Sequence, residues 1–225
     1  MNKSNRKLVL LCSAVFSVIF SAINSPADEI GVAIGLNSSV YRFKTQEINN
    51  TKYQKTDILN PIEVIYQKEF IKFLGIHSAL QYSKRSTSET IQHIGIDQYG
   101  NFVDYGKVKF ENSMNYLSLE ISPIFFHKFN HIFIDARSGV SGDFYLNEWL
   151  NQFGNKSVFH NKETSSFVLS FVSGIGLGYI IKDRFKIGIR SSISRTLTDI
   201  YKEQRLDADI FFLNFHNVIY FSFLI

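Results

Sequence analysis

Apolar residues recur at every second position through most of this chain, a period that specifies strands rather than helices over those stretches. In "IGVAIGLNSSVYRF", Ile30, Val32, Ile34 and Leu36 fall on one face, and Gly31, Ala33, Gly35 and Asn37 on the other. The stretch "FVLSFVSGIGLGYII" repeats the split, with Leu169, Phe171, Ile175, Leu177 and Tyr179 opposite Ser170, Gly174, Gly176 and Gly178. One face is greasy and the other is small.

Eight such segments are read, at 29–43, 60–69, 72–85, 114–127, 131–146, 165–181, 185–199 and 212–225. Connections near 68–71, 128–130 and 182–184 are tight, whereas 44–59, 86–113, 147–164 and 200–211 are long and rich in Asn, Thr, Lys and Glu. An up-and-down meander collects the tight turns at one end and the long loops at the other, which is the asymmetry of outer-membrane barrels. Within the long stretch 86–113, residues 94–110 are read as a hairpin that projects beyond the membrane. The expected fold is all-β: an eight-stranded antiparallel up-and-down transmembrane β-barrel.

Alternation does not decide which face is inside, since a soluble periplasmic barrel binding a small apolar ligand has the same period. The less apolar face decides. A water-facing exterior would carry many Lys and Glu, yet around 174–178 that face offers only Ser, Gly and Val. Small residues suit the interior of an eight-stranded barrel, which is just wide enough for side chains to fill. Glu63, Gln67, His77, Gln81, Glu120, Asp135, Arg137, Asp143, Lys186 and Arg190 all fall on the same face. There they are expected to pair and to plug the lumen, with a proton or ion path as the alternative. Phe70, Phe73, Phe126, Phe129, Phe133, Tyr179 and Phe185 cluster by the tight turns and are read as an aromatic girdle at one membrane boundary. Ordinary strand propensity is the other account of them.

Lys3, Arg6 and Lys7 precede an apolar run from Leu8 to Phe20, followed by Ser21, Ala22, Ser25, Pro26 and Ala27. This is the layout of a secretory signal peptide, so 1–27 is read as cleaved and 28–225 as the barrel domain. Lipidation at Cys12 is disfavoured by the Leu10 and Leu11 that precede it. Cleavage removes three positive charges and no negative ones, taking the formal net charge from +4 to +1, and it removes the only cysteine. No basic footprint remains for nucleic acid.

The six histidines lie at 77, 93, 127, 131, 160 and 216, and serines are plentiful, so an enzyme of the lipid-modifying kind stays open as an alternative. There is no GxSxG elbow and no HExxH pair. His127 and His131 flank a turn, where a four-residue spacing makes no helical face, and they are read as interface residues. Gly174, Gly176 and Gly178 precede no helix and do not form a phosphate loop. No catalytic residue, cofactor or metal is expected.

The stretches "MNYLSLEISPIFFHKFNHIFIDARSGVSGDFYL" and "SGIGLGYIIKDRFKIGIRSSISRTLTDIY" resemble the PorT-like outer-membrane β-barrel family of Gram-negative bacteria. Tyr116, Leu117, Ile121 and Pro123 match that family's YLEIP-type strand, and Gly174, Gly176, Tyr179, Arg190, Leu197 and Ile200 its later glycine-rich and arginine-bearing strands. The resemblance implies residence among outer-membrane lipids and insertion by the barrel assembly machinery, which reads an aromatic end on the closing strand. In "NVIYFSFLI" that signal falls on Phe221, Phe223 and Ile225, where the family ends in an aromatic residue and this chain in Ile225. The long loops are the expected place for a surface or secretion partner.

Overall fold

The computed structural model describes residues 28–44, 51–96, 98–152, 155–159, 164–182, 184–198, 200 and 209–225. The proposed signal peptide, with Cys12, lies outside them. Strand β1 is Asp28–Lys44, β2 Thr51–Ile71, β3 Leu74–Ile96, β4 Phe102–Phe129 and β5 Ile132–Gln152. A short β6, Asn155–Phe159, pairs only with the far end of β5. Strands β7 (Phe167–Ile181), β8 (Phe185–Thr196) and β9 (Asp209–Leu224) follow and complete the strands of the described residues. All pairings are antiparallel, each strand but the accessory β6 lies between two neighbours, and β1 with β9 and β4 with β5 leave no open edge. Eight strands close into a barrel.

The tight turns fall together. Asn130, between β4 and β5, takes the left-handed conformation (φ 52°) that asparagine tolerates better than most side chains. Beside that end, Ile225 N–H donates to the Asp28 carbonyl at 2.8 Å, tying β9 to β1. At the opposite end, the structure departs from the expected loops. Much of 44–59, 86–113 and 147–164 is strand: β3 and β4 pair continuously from Leu74↔Phe125 to Ile96↔Phe102, with one register shift between Gln92 and Ile94. These extensions escape hydropathy reading because ladder hydrogen bonds continue past the apolar belt, where both faces are polar and no alternation is written.

Two irregularities shape that end. Between Ile34/Ile62 and Leu36/Ile58 the β1–β2 register shifts, with Leu59 at φ 54°. Above Ile62↔Tyr82 the register of β2 with β3 ends. The Asn60 side chain there accepts from Lys84 N–H at 3.1 Å and donates to the Lys84 carbonyl at 3.0 Å, a single amide standing in for ladder bonds.

Alternation of burial follows the strand period. Val32, Ile34, Val64, Ile121, Phe171, Ile175, Leu177, Ile189, Ile219 and Phe221 are exposed on the outer wall, while their neighbours in sequence are buried or, at Gly35, Gly178 and Gly188, half-buried. A belt of apolar side chains outside and charges inside is an inverted soluble protein, and lipid is the solvent that it fits. No helix among the described residues is long and apolar enough to cross a membrane. The chain crosses with strands.

Candidate functional site

The ten polar residues expected in the lumen are all buried there, and they are arranged in three tiers. Nearest the tight turns, Glu29 of β1 accepts from Lys186 of β8, from Ser222 at 2.5 Å and from Gln67 at 3.1 Å. Asp28 beside it accepts from the Tyr66 hydroxyl at 3.1 Å.

The middle tier is the most heavily charged. Arg190 engages both oxygens of Asp135, at 3.4 and 3.2 Å, and donates to Gln67 Oε1 at 2.9 Å across the barrel. Its guanidinium lies 4.7 Å from the Tyr220 ring centroid. Arg137 pairs with Glu120 at 3.3 Å and donates to His77 Nε2. His77 Nδ1 meets Gln67 Oε1 at 3.1 Å. An imidazole that accepts at Nε2 and donates at Nδ1 is the neutral tautomer, so the network itself assigns the proton. Gly176 makes room for this tier, because a Cβ there would lie 2.5 Å from an Asp135 oxygen. Glu63 is buried among these groups with one carboxylate oxygen unpartnered.

At the third tier, Asp143 accepts from Arg85 at 2.5 Å, Ser170 at 2.6 Å and Ser141 at 2.7 Å. Arg85 lies 4.4 Å from the Tyr116 ring centroid, and Gln81 meets His216 Nδ1 at 3.2 Å. Arg85 with Asp143 joins β3 to β5, Arg190 with Gln67 joins β8 to β2, and Gln81 with His216 joins β3 to β9. None of these strand pairs are neighbours in the sheet: Arg85 reaches Asp143 over the single strand β4, and the other two contacts reach over two strands through the lumen.

Glu29, Arg85 and His216 were not among the lumen residues read from sequence. Parity would have found them, since each is in phase with a lumen residue of its own strand: Ala33, Gln81 and Val218. The girdle needs a correction of the same kind. Phe70, Phe73, Phe129 and Tyr179 are exposed at the tight-turn end, but Phe126 and Phe133 are buried. They sit in phase with Ile124 and Asp135, so their rings enter the barrel. Phe133 packs 6.1 Å from the Tyr220 ring and 5.1 Å from the Lys186 ammonium. Phe221, Phe223 and Ile225 line the outer wall of the closing strand.

Histidines at the tight-turn end stay outside: His127 packs on Phe129 with ring centroids 4.1 Å apart, and His131 on Tyr179 at 5.6 Å. The hydrogen-bond partners of buried His77 are an amide and a guanidinium, with a Glu120 oxygen 4.0 Å from its Nε2, and that of His216 is an amide. The side chains of His93 and His160 lie outside the described residues. Among the described residues no group of three His, Cys, Asp or Glu is placed to hold a metal.

Closure, outer belt and charged interior define the class: the protein is a transmembrane β-barrel of the outer-membrane type. No family model matches the chain, and no curated protein matches it. Among solved structures it is similar to Ail, the attachment invasion locus protein of Yersinia pestis, at 15% identity over 87% of this chain and 98% of that one, TM-score 0.39. It is also similar to the outer membrane protein OprG from Pseudomonas aeruginosa, at 8% identity, 89% and 97% coverage and TM-score 0.44. The outer membrane protease OmpT from Escherichia coli gives 10%, 89%, 98% and 0.41. These likenesses are distant, and the class rests on this barrel's own geometry.

Proposed function

We propose that the protein is a non-enzymatic outer-membrane anchor whose plugged barrel displays the β3–β4 hairpin for surface binding or secretion-associated contact. One observation carries this reading: β3 and β4 continue as a paired ribbon to Ile96↔Phe102, well past the apolar belt that ends near Tyr82 and Leu117. A two-stranded ribbon in water is marginal by itself, so a length of this kind is better accounted for by contact than by closure of the barrel. The lumen contacts support the anchoring half, because side chains meeting across its centre leave little room for a channel. The motifs that resemble the PorT-like family fit the same role, with outer-membrane lipid as solvent and the barrel assembly machinery as the inserting partner.

The test uses the chain's lack of cysteine after residue 12. An Asn101→Cys variant at the hairpin tip should react with a membrane-impermeant maleimide on intact cells, and the purified protein should migrate differently on gels with and without boiling. A tip that labels only after cell lysis would overturn the surface reading. Near-background conductance in planar bilayers is expected of the plugged lumen, and steady open currents would sink that half of the proposal.

A further inference from the structure

The outer wall changes character over one step of the β3–β4–β5 sheet. Below the step lie Leu80, Leu117 and Phe144; above it lie Lys84, Asn115 and Asn147. At the step there is a cleft of about 310 Å³, lined by Lys55, Tyr82, Lys84, Glu111, Asn115 and Trp149 among others. Tyr82 and Trp149 are each 43% exposed, although both are large aromatic residues. Tyr82 donates to Asn115 at 3.0 Å and Asn115 donates to Asn147 at 2.6 Å, a rail of polar side chains across three strands that fixes the cleft floor.

The cleft walls are cationic on balance. Lys55 reaches Glu111 at 3.2 Å, Lys109 reaches the same carboxylate oxygen at 2.8 Å, and Lys84 reaches Asp57 at 3.3 Å. The lining itself carries Lys55 and Lys84 against Glu111, and Lys109 and Asp57 just outside it offset each other, which leaves one net positive charge among the described residues beside two aromatic side chains at a lipid boundary. Lysine stems lie along apolar surface with the head in water, and Tyr and Trp prefer the same depth. Shape, charge and depth coincide at this one position.

We propose that this cleft seats the phosphate-bearing headgroup of an anionic membrane lipid. Lys55 and Lys84 meet the phosphate, Tyr82 and Trp149 flank the glycerol and first acyl carbons, and Asn115 supplies the polar floor. The assignment is independent of the hairpin's partner, since it needs only the lipid boundary.

Trp149 is the only tryptophan in the chain, so its emission reports on this cleft alone. The full barrel would be refolded into phosphatidylcholine vesicles containing a small fraction of phosphatidylglycerol, with bromine on the acyl chains of one lipid or the other. Brominated phosphatidylglycerol should quench Trp149 about fivefold more than brominated phosphatidylcholine at equal mole fraction, as one net cation at an anionic headgroup warrants. The preference should fall toward unity in Lys55→Gln/Lys84→Gln, with the boiling-dependent gel shift kept. Should that variant fail to fold, the wild type in high salt must lose the preference instead. Equal quenching by the two lipids in the wild type would overturn the proposal. So would an emission change driven by inorganic phosphate in pure phosphatidylcholine, which would assign the cleft to a free anion.

Discussion

Strands β3 and β4 have two different constructions along their length. Below Tyr82, β3 has β2 on one side and β4 on the other; its side chains alternate between lumen residues His77 and Gln81 and outer residues Ile76 and Leu80. Above Tyr82 the pairing with β4 goes on with Ser83 and Arg85 still buried, and beyond Ser88 the side chains of Glu89, Thr90 and Gln92 are all exposed. The same hydrogen-bond ladder runs through both parts, so strand pairing does not create the alternation. Alternation comes from having two different solvents on the two faces: lipid outside and a packed charged lumen inside. Where water reaches both faces, the pattern lapses and the strand continues.

The largest effect should come from the lumen. Asp135→Ala leaves Arg190 buried without its bidentate partner, and removing one member of a buried pair costs about 3–5 kcal/mol. Urea unfolding in lipid vesicles should show that loss, and a change below about 1 kcal/mol would mean that water or Gln67 already satisfies the arginine.

A second variant pair sharpens the contrast between solvents. Ile175, 66% exposed on the outer wall near mid-barrel, should lose about 2–4 kcal/mol as Ile175→Arg. Thr90→Arg, on the ribbon, should stay within about 0.5 kcal/mol. Equal costs at the two sites would break the distinction between lipid and water.

Gly176→Ala probes the packing behind the middle tier. Its Cβ would meet the Asp135 carboxylate at 2.5 Å, and overpacking of that kind costs about 1–3 kcal/mol. Gly100→Ala, with nothing within 4 Å, meets no such contact and should leave the urea midpoint nearly as it was apart from the strain of its φ of 83°.

The smallest effect is a pH dependence confined to the ribbon base. The hydrogen bond from Lys109 chiefly, with Lys55 and Asn151, holds the Glu111 carboxyl down at about 2 against the upward push of partial burial. A lowered carboxyl stabilises the fold above its ordinary value of 4.5, and that contribution fades as pH falls from there toward 2. Hydrogen exchange at 109–113 should quicken over that window, and Glu111→Gln should remove the pH dependence while leaving the barrel's gel shift unchanged.

Eight-strandedness, the outward apolar face and the charged lumen were legible in the sequence, because a period of two with opposed faces is a direct record of two solvents. So was the tight turn between β7 and β8, while the turns read at 68–71 and 128–130 fall one to a few residues later, at 72–73 and 130–131, because β2 and β4 keep pairing through Ile71 and Phe129. Parity within each strand also carries Glu29, Arg85 and His216 once the lumen face is known. Only the closed barrel decided which charges meet. Arg190 and Gln67 lie 123 residues apart and Gln81 and His216 lie 135 apart, and they come together because strands distant in the sheet face each other across a narrow lumen. The ribbon's tip within 94–110 was read from the strand-like flanks of Tyr99, Gly100 and Asn101, but its unbroken continuation from the barrel and the cleft at Tyr82 and Trp149 were set by tertiary structure. Polar strands in water leave no periodic trace, and a register that ends between β2 and β3 is a property of the sheet rather than of any one segment.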